Sequence, residues 1–257
     1  MAPIERDEIV WLEEVAFRAW PADTCAVHRG MRLRATGGDS RRANSAAVHA
    51  CDPDLPVEEA IAKAEAFYAS RRQPCRFQLN PAAPVGLDEA LAARGYRTDA
   101  PVWVQTASVE ALLARVASQP PDVQATVHAS PDAVWIDIEV ARGRYAGIAS
   151  TFLALLARLG PRGGFATAHV GAAPAAACLF VHDGDALFVS AMRTLPERRR
   201  SGAARALIRA GASWAAARGA ARAVLQVETD NEPALALYRS AGFETRYGYH
   251  YRVRDTP

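Results

Sequence analysis

The stretch Arg198–Leu207, "RRRSGAARAL", sets three arginines on a turn in front of a run that reads as a long apolar helix. A helix start already exposes unpaired backbone N–H groups and the positive end of the macrodipole, so further cations there repel. The arrangement becomes favourable when a strongly anionic group, such as a phosphate, occupies the turn. Gly202 permits unusual dihedrals and the small Ala203 and Ala204 leave room. The successive N–H groups of Arg200, Ser201, Gly202, Ala203 and Ala204 can then converge on one anion.

The residues on either side give this turn a context. Upstream, "GGFATAHVGAAPAAACLFVHDGDALFVSAMRT" reads as three strands, Phe165–Val170, Ala175–Val181 and Ala186–Arg193. The last two are joined by "HDGD", whose Asp-Gly suits a tight hairpin, so an antiparallel meander is expected. Downstream, a helix from Ala203 to Arg218 stops at Gly219 and leads into a strand, Ala223–Val227. "TDNEPALALYRSAGF" then supplies capping residues, Pro233 in a first turn and Gly242 as a stop, and "RYGYHYRV" closes with strand character.

The first half repeats this grammar. "RANSAAVHA" stands for the third strand, "VEEAIAKAEAFYASRR" for the long helix, "CRFQL" for "AVLQV", "LDEALAARGY" for "ALALYRSAGF" and "DAPVWVQTA" for the closing strand. Gln78 precedes Gly95 by 17 positions and Gln226 precedes Gly242 by 16, so the two halves keep step. The paired prolines of "VASQPPDVQ" punctuate the chain, and two tandem modules are expected, residues 1–118 and 119–257. Opposite the arginine turn the first module carries the acidic "CDPDLPVEE", and opposite Tyr238 it carries Leu91. It has lost both the anion site and the phenol.

The bulk composition narrows the classes. The chain has 257 residues, 50% hydrophobic, with a formal net charge of +2. That near-balance makes the arginine turn a local feature and speaks against nucleic acid as a partner. Cys25, Cys51, Cys75 and Cys178 form no metal-ligand or redox spacing, so idle thiols and no metal are expected. The charged start and the lack of a long uncharged run point to a cytoplasmic protein without a membrane partner.

With these elements in order, the second half resembles the GNAT (GCN5-related) N-acetyltransferases. Their acetyl-CoA loop has Arg or Gln, two residues, Gly, one residue, then Gly or Ala, and Arg199, Gly202 and Ala204 match it. A later motif of that family matches Asn231, Ala234, Leu237, Tyr238, Gly242 and Phe243. The resemblance is good over Phe165–Val253, and the first half is similar only as a degenerate copy. It implies an α/β (α+β) fold of two tandem GNAT-like modules, each a mixed, mostly antiparallel sheet flanked by helices.

The resemblance also implies roles. Acetyl-CoA would be held by Met192, Arg193 and Thr194 on the strand edge, by Arg199, Arg200, Ser201, Gly202, Ala203, Ala204 and Arg205 in the loop, and by Asn231 and Tyr238. The N–H of Met192 is the candidate to polarise the thioester carbonyl, and the phenol of Tyr238 to protonate the leaving thiolate. The acceptor would be a primary amine of a small molecule or peptide, attacking directly, in a monomer or homodimer. Peptide N-terminal members carry Glu where this chain has Gln226, which weakens the case for a protein N-terminus. Glu228 is the candidate base, with His169, Ser190 and His250 left open. Arg34, Arg42 and Asn44 of the first module could meet an anionic acceptor group or serve the surface. A coenzyme A-binding sensor without turnover is the alternative function.

Overall fold

The computed structural model describes residues 4–38, 40–118, 120–143 and 145–255. In chain order the first elements are α1 (Arg6–Ala19), β1 (Thr24–His28), β2 (Met31–Ala35), β3 (Ala46–Ala47), α2 (Val57–Ala69), β4 (Cys75–Leu79) and α3 (Leu87–Ala93). Next come β5 (Arg97–Ser108), α4 (Val109–Arg115), β6 (Val123–His128), α5 (Ala133–Ile136), a π-turn (Asp137–Ala141), α6 (Ala149–Ala157) and β7 (Gly163–Val170). The chain finishes with β8 (Ala173–Asp183), β9 (Ala186–Thr194), α7 (Ala203–Ala216), β10 (Arg222–Glu228), α8 (Glu232–Ala241) and β11 (Glu244–Arg254).

Two units share this chain: residues 1–104 with 246–257, and residues 105–245. The division falls before the expected boundary at 118/119, and the final strand leaves the second half. The reason is hydrogen bonding. In unit 2, Val109 N–H donates to the Ala221 carbonyl at 2.9 Å and the Arg209 guanidinium to that of Ala117 at 2.8 Å. In unit 1, β11 pairs antiparallel with β4 from His250↔Leu79 to Arg254↔Cys75. Two prolines punctuate a chain locally, whereas ladder bonds decide where a segment belongs.

Unit 1 orders its strands β1-β2-β3-β4-β11, with β3 and β4 parallel and the other neighbours antiparallel. β4, "CRFQL", is buried along its whole length, which forces its two polar residues to find partners inside. Gln78 donates to Glu13 at 2.8 Å and accepts from Arg34 at 3.2 Å, and Arg76 donates to the Asn44 carbonyl at 3.2 Å. The alternating Tyr247, Tyr249 and Tyr251 all point into this interior, and the Tyr247 hydroxyl donates to Glu13 at 2.9 Å.

Unit 2 orders its strands β10-β9-β8-β7-β6, with β9 and β10 parallel and the rest an antiparallel meander. α7 buries one stripe, Ala203, Leu207, Gly211 and Ala215, at helical spacing. It lies against β6, β7, β8 and β9. The stripe is small because the sheet meets it with a large ring: a Cβ on Gly211 would stand 2.3–2.5 Å from the ring of Phe180. Among the described residues no helix is long and apolar enough to cross a membrane. Cys51, Cys75 and Cys178 are buried free thiols and Cys25 is exposed.

Gly211→Ala tests this packing. The added methyl has no space without displacing Phe180, so chemical denaturation should show a loss of ~1–3 kcal/mol, where an exposed helix Gly→Ala change stabilises.

Candidate functional site

β9 and β10 pair in register only from Ala186↔Arg222 to Val189↔Leu225, although both strands continue, to Thr194 and Glu228. Immediately after the last pair, β9 bulges. Ala177 faces Arg193 and Leu179 faces Ser190, so the single residue Cys178 stands opposite both Ala191 and Met192. Ala191 takes φ 45°, a strained value for a residue with a side chain. A bulge turns the local N–H groups out of the ladder and bends its strand. Parting strands and a bulge together open the edge of β9 at Met192.

The bulge is held from behind. Trp135, fully buried, donates its indole N–H to the Cys178 carbonyl at 2.9 Å, and the Cys178 thiol donates to the Ser190 carbonyl at 3.2 Å. Burial pushes that thiol well up, with a contribution from the carboxylate of Glu139, so Cys178 stays protonated and inert. Trp135 is itself set by the rings of Phe165, at 5.2 Å, and Phe152, at 6.3 Å.

β9 runs through a short 3-10 turn, Pro196–Arg198, into the arginine loop. Arg200 takes φ 61° and Gly202 φ 89°, which aims successive N–H groups to one side before α7 begins. Gly202 is required there twice over, because a Cβ would also press on Pro120 at 3.0–3.1 Å. Ser201 closes the loop on itself: its hydroxyl donates to the Arg198 carbonyl at 2.7 Å and accepts from Ala203 N–H at 3.4 Å. Arg199 and Arg200 are exposed. The Arg205 guanidinium is occupied, donating to the Arg115 carbonyl at the end of α4, so only its backbone is offered to the loop. Arg193 likewise donates its guanidinium to the Arg142 carbonyl.

At the other parted strand, the Asn231 side chain accepts from Ala234 N–H at 3.3 Å and caps α8. Asn231 N–H donates to the Glu228 carbonyl at 3.1 Å, which folds the turn between β10 and α8. Glu228 is exposed at the strand end. Tyr238 is 7% exposed on the inner side of α8, with its ring 5.6 Å from that of Phe243.

The other sequence candidates are scattered. His169 sits on β7 between Gln124 and Pro174, two strands away from β9. Ser190 is buried in β9 just before the bulge. His250 belongs to unit 1, where Asp88 lies 3.2 Å away, because β11 pairs with β4. Arg34 and Asn44 are buried structural residues of unit 1: Arg34 donates to Ser45 at 3.1 Å and Asn44 accepts from Thr36 N–H at 2.8 Å. Arg42 lies over the Trp20 ring at 5.7 Å.

Unit 1 has its own parallel pair, β3–β4, joined through Ala46↔Phe77 and Ala47↔Gln78. Its helix start is different. The first turn of α2 carries acids, and the β1–β2 hairpin reaches the acids in and before it: Arg29 lies 2.8 Å from Asp52 and 3.8 Å from Glu59, and the His28 imidazole is hydrogen-bonded to Glu59 at 2.6 Å. Leu91, in the place of Tyr238, is fully buried.

A family described as "Probable histone acetyltransferase Rv0428c C-terminal" matches residues 7–252. This chain belongs to that family and is a GNAT acetyltransferase. A Bacillus subtilis protein named "Uncharacterized N-acetyltransferase YobR" is 30% identical over 254 residues, 96% of this chain and 99% of its own. Two solved structures share the fold. A GCN5-related N-acetyltransferase from Kribbella flavida matches with a TM-score of 0.67 and 18% identity, over 100% of this chain and 98% of its own. A tandem GNAT protein from the clavulanic acid biosynthesis pathway matches with a TM-score of 0.66 and 16% identity, over 96% and 88%. As a GNAT fold, the mixed, mostly antiparallel architecture read from the sequence stands.

Sequence reading passed over Trp135 and Glu139 in "WIDIEVA", where acids alternating with apolar residues were the available signal. Trp135→Phe should keep the ring packing and lose the bond to the Cys178 carbonyl. A buried carbonyl left without its donor costs ~1–3 kcal/mol, readable as a lowered denaturation midpoint with an unchanged slope.

Proposed function

We propose that unit 2 is the transferase site and that it uses acetyl-CoA to acetylate a primary amine of a small molecule or peptide. The observation that carries this reading is the coincidence of three features at one end of the sheet: β9 and β10 part after Val189 and Leu225, β9 bulges at Ala191, and the loop leaving β9 turns its N–H groups to one side at Arg200 and Gly202.

These residues fit the cofactor. A diphosphate in the loop would meet the N–H groups of Arg200, Ser201, Gly202, Ala203, Ala204 and Arg205, with the exposed Arg199 and Arg200 adding positive charge from solvent. The opened edge at Met192, Arg193 and Thr194 offers main-chain groups to the amide-bearing arm, and Asn231 stands beside the facing strand. When bound, acetyl-CoA supplies an acyl group activated as a thioester. The N–H of Met192, at the bulge, would donate to the oxygen on which charge develops. Tyr238 would hold its phenolic O–H toward the thioester sulfur and supply the proton as the thiolate leaves. Cys178 takes no part as a nucleophile, because it is buried and protonated. With that thiol inert, direct attack by the amine is the supported route.

Isothermal titration of the full chain with acetyl-CoA should show saturable binding. No heat at ~1 mM cofactor, the ceiling of weak specific binding, would remove the proposal. Gly202→Ala should weaken binding about tenfold, since a left-handed residue with a side chain costs ~1–2 kcal/mol. Tyr238→Phe should lower turnover ~100-fold and leave the dissociation constant within about a factor of two; unchanged turnover confines the tyrosine to packing. Binding without thiol release across an amine panel would mark the chain as a coenzyme A sensor.

A further inference from the structure

The arginine loop leaves β9 in a shape that is unfavourable on two counts. Arg200, which carries a side chain, takes the left-handed φ of 61°. Arg198, Arg199 and Arg200 also crowd positive charge against the N-terminal end of α7. Both effects favour unwinding, so contacts elsewhere in the fold must hold the loop.

The first contact is internal. The Ser201 hydroxyl reaches back past Arg200 and donates to the Arg198 carbonyl at 2.7 Å, closing the backbone around the left-handed residue. Arg198 is itself fixed, its N–H donating to the Leu195 carbonyl at 2.9 Å. The Ser201 oxygen also accepts from Ala203 N–H at 3.4 Å, a long bond that leaves this donor open to a second acceptor.

The second contact comes from the tail of α4. A helix leaves its last carbonyls without intrahelical donors. Arg205 and Arg209, four residues apart and so on one face of α7, take up two carbonyls at and just beyond the end of α4: Arg205 donates to that of Arg115, and Arg209 to that of Ala117 at 2.8 Å. With Leu112 and Val116 buried, the tail is fastened along α7 and brings Pro120 to the loop. The proline ring stands 3.0–3.1 Å from where a Cβ on Gly202 would lie, so it rests on the open face of that glycine. Val123 N–H donates to the Pro120 carbonyl at 3.1 Å and turns the chain into β6, which also packs on α7. Pro120 is thus held on both sides.

We infer that Ser201 and Pro120 are positioning residues that set the arginine loop in its ligand-ready shape in the free protein, a role that rests on unit 2 being the acetyl-CoA site. Both act through the main-chain N–H groups of the loop. Arg205 and Arg209 serve the same end by holding the tail. A loop shaped in advance loses little conformational entropy on binding, so more of the interaction free energy appears as affinity.

Titration of the full chain with acetyl-CoA, beside turnover of S-acetylpantetheine with methylamine, tests the assignment, because the second donor has the thioester and its arm but no diphosphate. Ser201→Ala and Pro120→Ala leave the charge unaltered. Each should weaken acetyl-CoA binding ~5–10-fold and leave kcat/KM for S-acetylpantetheine within about a factor of two. Ser201→Thr keeps the hydroxyl and should bind acetyl-CoA within about a factor of two of wild type. Unchanged acetyl-CoA affinity in either alanine variant, or equal loss toward both donors, overturns the assignment. Carbon-13 NMR of the free protein needs neither ligand nor turnover. The Cα and Cβ shifts of Arg200, identified by their absence from Arg200→Lys, should carry the left-handed signature in wild type and move toward coil values in Ser201→Ala and Pro120→Ala. Coil values in wild type, or the left-handed signature kept in both variants, overturn the inference, and this readout decides the matter where S-acetylpantetheine is not turned over. Failure of the wild-type chain to bind acetyl-CoA would instead remove the function proposed for unit 2, and the Arg200 shifts then decide the shape of the loop by themselves.

Discussion

Two parallel strands that pair along four residues and then separate set the geometry of unit 2. A parallel ladder satisfies the facing N–H and C=O groups only while the strands stay together. Once β9 and β10 diverge beyond Val189 and Leu225, those groups need other partners. The bulge at Ala191 and the indole bond to Cys178 are local answers to that requirement. The strained φ of Ala191 is tolerated because a buried tryptophan, itself wedged by Phe152 and Phe165, holds the facing carbonyl. Removing the strand separation would leave the bulge without purpose and the arginine loop without a neighbouring edge.

The same constraint meets opposite electrostatics in the two units. Unit 2 begins its long helix with exposed cations against the positive end of the dipole, a placement that only an added anion relieves. Unit 1 begins α2 with Glu58 and Glu59, which suit the dipole directly, and then satisfies Asp52 and Glu59 with Arg29 and His28. The first helix start is complete in itself. The second leaves Arg199 and Arg200 facing solvent.

Much of the fold was legible because each element carried a local signal. The meander β7–β9, the helices α7 and α8 and the repeated order in the first half follow from apolar spacing, an Asp-Gly turn and glycine stops. The β1–β2 hairpin escaped because its turn is Arg29-Gly30, with both residues at positive φ and no Asn or Asp to announce it. The unit boundary escaped because the proline pair lies inside unit 2, while strand pairing carries β11 to β4. His250 was misplaced for the same reason: neighbours in sequence near a motif became residues of the other unit.

For the candidate site, the sequence by itself determined the arginine loop, the glycine that lets it turn, the strand that precedes it and the tyrosine helix downstream. Those are properties of short segments, where residue type and spacing dictate dihedrals and caps. Only the tertiary structure decided that Arg205, Arg34 and Asn44 are committed to internal hydrogen bonds, and that Glu139 is buried in the turn after α5. Such outcomes depend on contacts between residues distant in the chain, and burial, which gives a carboxylate its chemistry, is a property of the packed molecule.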